Sequence, residues 1–136
     1  MKPNRKRSLI FTLVTILYVA AVGYLCFANF DKMSDVPKVF LGLPTDKIVH
    51  FCMFFPFPIL AYLAYDHLTN TPLKALAALI SICAIGCIFA GLTEIVQGML
   101  PYRYEDIHDY AADCIAIGIA GILTFIIDIS KMRKAQ

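Results

Sequence analysis

Ionisable side chains crowd one short stretch of this chain. Glu94-Ile-Val-Gln97 is followed by Arg103-x-x-Asp106-x-x-Asp109-x-x-x-Asp113, and the stretch lies between two long apolar runs. Asp46, Lys47 and His50 stand in a similar position at the head of an earlier apolar run. Carboxylates of this kind can act as general acids and bases, bind cations or accept hydrogen bonds from hydroxyls. Arginine can grip a carboxylate or a phosphate with two parallel hydrogen bonds. A histidine titrates near neutrality and can shuttle protons. Each charge beside a bilayer core is expensive, about 2.5–3.5 kcal/mol for a central Asp on insertion scales. A chain that is only 16% charged and concentrates its charges here has a use for them.

Apolar segments must position these groups. The chain has 136 residues, is 60% hydrophobic and has a mean hydropathy of +0.72. Four runs, Leu9 to Phe30, Ile48 to Tyr65, Leu76 to Val96 and Tyr110 to Ile127, each suffice to cross a ~30 Å hydrocarbon core as helix. They lack the alternation of a strand barrel. The reading is therefore an all-α polytopic membrane protein, a single domain over residues 1–136 with four transmembrane helices in a bundle. Pro56 and Pro58 remove backbone donors in the second run and should kink or unwind it. The first run is longer than the apolar core of an ordinary signal sequence and is read as a span.

With four spans both termini share a side. That side carries Lys2, Arg5, Lys6, Arg7, Lys74, Lys131, Arg133 and Lys134, eight of the twelve basic residues. Lys32, Lys38, Lys47 and Arg103 fall on the other. The bias predicts cytoplasmic termini. The 31–47 loop is then external, and Val39-Phe40-Leu41 within it is apolar enough to dip into the interface.

This topology gathers the polar residues at one outer rim. Asp46 and His50 are spaced i,i+4, one above the other on a helix, where the two can pair. If the fourth helix begins near Asp106, then Asp106, Asp109 and Asp113 form one stripe. Asp113 lies about 6 Å deeper than Asp109, and Glu94 about 4.5 Å deeper than Gln97. The two carboxylates can meet at similar depth, with Arg103 as counter-charge. Small residues favour that approach: Gly86, Ala90 and Gly91 in the third run, and Ala112, Ala116, Gly118, Ala120 and Gly121 in the fourth. The structural alternative is that Asp106 or Asp109 caps a helix, Arg103 pairs with Glu94, and the cluster only pins helices together.

Other chemistry is weakly represented. Cys26, Cys52, Cys83, Cys87 and Cys114 lie in apolar runs without a C-x-x-C pair, as buried small hydrophobes would. His67 and His108 read as exposed loop residues. His50, Glu94, Asp109 and Asp113 could in principle surround a divalent cation, but no compact motif such as H-E-x-x-H is present, and no metal or cofactor is expected. A net charge of +2, without a basic patch interleaved with aromatics, argues against nucleic acid.

Asp46-Lys47-x-x-His50-Phe51, Glu94-x-x-Gln97 and Arg103-x-x-Asp106-x-x-Asp109-x-x-x-Asp113, with Gly118 and Gly121, together resemble the VanZ-like family over roughly residues 40–125. At position 113 this chain has Asp where that family often has Asn. The resemblance implies a small multi-pass protein of the bacterial inner membrane, in a family whose namesake is associated with resistance to the glycopeptide teicoplanin. Its implied partners are the lipid bilayer and a cell-envelope or lipid-linked ligand. Three uses of the cluster follow as expectations. In the first it binds a polar head group, with Arg103, Lys47 and His50 meeting anionic oxygens and Glu94, Gln97, Asp106, Asp109 and Asp113 orienting them. The second is an intramembrane acid–base enzyme acting on an envelope lipid. The third is a proton-coupled transporter using Glu94 and Asp113, which the scarcity of polar residues in the inner halves of the spans disfavours.

Overall fold

The computed structural model describes residues 5–29 and 38–134. Lys2, Phe30 as the expected end of the first span, and Lys32 and Pro37 of the external loop lie outside the described residues. The fold is all-α, with four spans long and apolar enough to cross a membrane: Arg5–Phe27, Thr45–Leu68, Pro72–Gly98 and Ile107–Lys134.

Helix α1 (Arg5–Phe27) is apolar on all sides, and only Val22 and Cys26 are buried. Exposed Leu9, Leu13, Ile16 and Leu17 present a surface suited to lipid rather than water. It nevertheless docks firmly. Ser8 Oγ donates to Ala64 O at 2.6 Å and Tyr18 Oη to Met53 O at 2.6 Å, so α1 lies along the second span. An ion pair of Arg7 with Asp66, 3.4 Å, closes the same end.

A two-residue hairpin pairs β1 (Val39–Phe40) with β2 (Leu43–Pro44). Leu41 and Gly42, with φ of 51° and 79°, make the turn. Both values are left-handed, as a tight two-residue hairpin turn requires, and only Gly42 adopts that conformation without steric penalty. Val39, Phe40, Leu41 and Leu43 are all exposed, so the hairpin is an apolar tip.

The second span consists of α2 (Thr45–Phe54) and α3 (Pro56–Tyr65). The expected disruption at the prolines is confined to Phe55, which keeps helical angles of −58° and −44°. Its N–H still reaches Phe51 O at 3.0 Å. Pro56 takes the first-turn position, where its missing donor is least felt.

After the 3-10 turn Asp66–Leu68, α4 (Pro72–Gly98) begins with Thr71 as its cap, its side chain accepting from Lys74 N at 3.3 Å. Helix α5 (Ile107–Lys134) begins three residues before the apolar run at Tyr110, directly after Asp106. Asp106 caps it: its carbonyl accepts from Asp109 N and Tyr110 N, and its Oδ1 accepts from His108 N at 2.8 Å.

Small residues let α4 and α5 come close. Ala90, Ala116 and Ala120 are fully buried. A Cβ at Gly86 would lie 2.9 Å from the Phe57 ring, and one at Gly121 would lie 2.6 Å from Cys83 Sγ. Those two glycines are required by the packing. Gly118 is not, because nothing lies within 4 Å of a Cβ built there. The small-residue stripe is thus narrower than its sequence spacing predicts. Phe54, Phe57, Tyr62, Leu79, Ile82 and Ile117 fill the rest of the interior.

Candidate functional site

The helix directions place the start of α2, the end of α4, the start of α5 and the end of α1 at one end of the bundle. Two linked groups of ionisable side chains form there.

The outer group centres on Lys47. Its Nζ lies 2.7 Å from Asp106 Oδ2, 2.8 Å from Asp109 Oδ1 and 3.5 Å from Asp46 Oδ2. Lys47 reaches across from α2 and joins the cap of α5 to its first turn. Together with the His108 N–H, its ammonium holds the Asp106 carboxyl below the usual carboxylate range.

The inner group centres on His50. Its Nδ1 is 3.2 Å from Asp113 Oδ1 and 3.3 Å from Oδ2. The same nitrogen is 3.8 Å from Glu94 Oε1, while Nε2 is 3.9 Å from Asp109 Oδ2. Burial is deep: Asp113 is 0% exposed, His50 5%, Glu94 7% and Asp109 8%. Asp109 links the groups, with one oxygen on Lys47 and the other facing His50.

The expectation that Glu94 and Asp113 meet is realised through the imidazole between them. Glu94 Oε2 accepts the Asp106 N–H at 3.0 Å and so ties α4 to the start of α5. Its Oε1 is buried and has no hydrogen-bond partner. An unsatisfied buried acceptor costs about 1–3 kcal/mol, and more when charged.

Two placements differ from the sequence expectation. Asp46 does not pair with His50 despite the i,i+4 spacing. It is exposed, near Lys47, while His50 turns inward to the carboxylates of α4 and α5. Arg103, expected to grip a carboxylate, donates from Nη2 to Ala28 O at 3.1 Å and Leu25 O at 3.4 Å. These are orphan carbonyls at the C-terminus of α1, where a positive charge also complements the helix dipole. Gln97 joins the same task, Nε2 donating to Cys26 O at 2.9 Å. The pair therefore fastens α1 to the bundle beside the carboxylates, and among the described residues Lys47 is paired with those carboxylates.

Some polar contacts were not foreseen. Tyr102 Oη donates to Phe27 O at 3.1 Å, a third cap for α1. At the opposite end Tyr62 Oη donates to Asp128 Oδ2 at 2.5 Å and bonds Thr69 Oγ1 at 2.8 Å. An acidic residue directly after the last apolar run, Asp128, was the available signal for that network. Between the two polar ends the interior is closed by Phe57, Leu79, Ile117 and Ala120. That apolar plug is poorly suited to a proton path.

The cysteines are all free, with Cys26 buried and Cys52 exposed. His67 and His108 are exposed, as expected.

Among the described residues, two triplets have ligand atoms mutually within 4.8 Å: His50, Glu94 and Asp109, and Asp46, Asp106 and Asp109. Lys47 Nζ already serves the second triplet as its cation. No protein-family model, curated protein or solved structure matches this chain.

Proposed function

We propose that this is a VanZ-like protein of the bacterial inner membrane, with cytoplasmic termini, whose outer-rim cluster binds the polar head group of an envelope or lipid-linked ligand. The observation that carries the reading is the inner group. Four ionisable side chains from three helices converge on one another at 8% exposure or less. A helix bundle does not need them for stability, because apolar side chains of similar volume hold helices together as well or better. Retained ionisable groups inside a membrane protein are the mark of a working site.

The charge balance refines the ligand. Among the described residues, Asp46, Glu94, Asp106, Asp109 and Asp113 gather around Lys47, whose ammonium is taken up by its own carboxylates. Arg103 bonds to the end of α1. The site therefore favours hydroxyls, amines or a cation-bridged phosphate over a bare anion. The exposed apolar hairpin next to α2 would rest among the lipids from which such a ligand arrives.

The test compares lipid and envelope-metabolite profiles of a deletion strain with strains carrying Glu94→Gln, His50→Gln or Arg103→Ala, with membrane abundance measured in each. The profile of the deletion at wild-type abundance is expected for Glu94→Gln and His50→Gln. A wild-type profile at normal abundance would assign the cluster to helix pinning. Teicoplanin susceptibility of the same strains tests whether the resistance association extends to this chain.

A second reading, acid–base catalysis on the same ligand, draws support from His50 and Asp113. A buried carboxylate on Nδ1 orients an imidazole so that Nε2 can take a proton. Turnover of an isoprenoid-linked or phospholipid substrate by purified protein, lost in His50→Gln, would select it.

A further inference from the structure

Glu94 Oε1 is an unexplained atom in an otherwise well-bonded site. The Glu94 side chain is 9% exposed, and Oε1 has no hydrogen-bond partner although its sister oxygen is bonded to Asp106 N. It lies 3.8 Å from His50 Nδ1, and the other ring nitrogen, Nε2, lies 3.9 Å from Asp109 Oδ2. We propose that His50, Glu94 and Asp109 bind one divalent first-row metal ion, zinc by the donor set, whose remaining coordination position takes a phosphate oxygen of the ligand. This deepens the head-group reading and rests on it for the identity of the fourth ligand alone.

The donors fit. One imidazole and two carboxylates suit zinc, manganese or iron better than calcium or magnesium, which favour all-oxygen sets. Three protein ligands with one open position are the pattern of zinc sites that work on an exogenous ligand. The ligand atoms lie within 4.8 Å of one another, and metal bonds of about 2.0–2.2 Å would draw them closer by side-chain rotation.

The surroundings fit as well. Metal-bound histidines commonly donate their second ring N–H to a carboxylate. Asp113, 0% exposed, stands 3.2 Å from Nδ1 and would hold the tautomer that leaves the Nε2 lone pair free. Glu94 Oε1, 3.8 Å from Nδ1, would have to swing to the Nε2 side to join Asp109 there. Asp109 has one oxygen on Lys47 and the other toward His50, so it can ligate without losing its ion pair. A bound cation also offsets the excess of carboxylates over Lys47 and gives an acidic pocket an affinity for phosphate.

Full-length protein in lipid nanodiscs, stripped with a chelator, is titrated with Zn2+ and with Co2+ as a chromophoric probe. One ion per chain by elemental analysis and visible Co2+ absorption bands are expected. His50→Gln, Glu94→Gln and Asp109→Asn should each weaken Zn2+ binding at least tenfold. Asp113→Asn should weaken it about 10–100-fold, as for other partners of a ligating histidine. Asp66→Asn, at the opposite end of the bundle, should leave it unchanged. Wild-type binding no tighter than that of Glu94→Gln, or an equal loss in Asp66→Asn, overturns the site. Should the ligand variants not fold, Cu2+ bound to wild-type protein is read by electron paramagnetic resonance. Hyperfine splitting from one imidazole nitrogen is expected, and its absence overturns the site.

Binding of inorganic phosphate and of vesicles containing an isoprenyl phosphate is then measured with and without chelator. Metal-dependent binding of the vesicles alone supports a lipid source, and equal binding of both a free phosphate. Chelator-insensitive vesicle binding overturns the metal inference and leaves the head-group reading intact. Tight Zn2+ binding with no phosphate bound in either arm does the reverse.

Discussion

Lys47 makes the most quantitative prediction. Its ammonium sits 2.8 Å from Asp109 Oδ1, with side chains 26% and 12% exposed. Its contact with Asp46 is 3.5 Å, and that carboxylate is 57% exposed. Two unit charges at 2.8 Å attract by about 6 kcal/mol at an effective dielectric constant of ~20. Desolvation removes much of this. Breaking a fully buried pair costs about 3–5 kcal/mol, while an exposed pair contributes about 0–1 kcal/mol. Lys47 and Asp109 fall between these limits, so their coupling should be about 2 kcal/mol, against less than ~0.5 kcal/mol for Lys47 and Asp46. The assay is a double-mutant cycle of Lys47→Met with Asp109→Asn, and a second with Asp46→Asn. Unfolding by SDS in mixed micelles, with chelator present, is followed by a thiol-reactive dye in a background with Cys52, Cys83, Cys87 and Cys114 replaced by alanine. The dye then reports the buried thiol of Cys26 as it becomes accessible. Equal coupling in the two cycles, or a value below ~0.5 kcal/mol for Asp109, would refute the claim that Lys47 anchors a partly buried ion pair.

Three further outcomes follow from particular contacts. Asp106 has a depressed carboxyl pKa in the folded protein, so its contribution to stability is complete above the unfolded value near ~3.9 and is lost as pH falls through the folded one. Asp106→Asn should flatten the acid limb of the stability profile below about pH 4, and an unchanged limb would contradict the assignment. Gly121→Ala should destabilise by roughly 1–3 kcal/mol because its Cβ meets Cys83 Sγ at 2.6 Å. Cys83→Ala should restore most of that in the double variant, whereas Gly118→Ala should cost nothing. Gln97→Leu should free Cys26 O and loosen the end of α1, raising the labelling rate of the Cys26 thiol several-fold while exposed Cys52 labels as before.

How much of this was legible in the chain depends on range. Four apolar runs of spanning length dictate four helices in any bilayer, since an unsatisfied backbone has no other partner there. The alternation of direction that follows puts Asp46, Lys47, His50, Glu94, Arg103 and Asp113 at one end before any packing is known. The cap at Asp106 was equally local, one side chain closing on its own helix start. Pairing within the cluster was not local. Spacing along α2 joined Asp46 to His50, but the rotation of α2 against α4 and α5 turned His50 inward and left Asp46 outside. Arg103 was read by charge as a partner for Glu94, yet the nearby end of α1 offered carbonyls that no sequence motif announces. The triplet His50, Glu94 and Asp109 draws one residue from each of three helices, so no compact motif could reveal it. Residue type and hydropathy determined which groups stand at the membrane rim. Helix rotation and close packing at Gly86 and Gly121 decided which of them touch, because side-chain contacts between distant segments depend on angles that no single segment encodes.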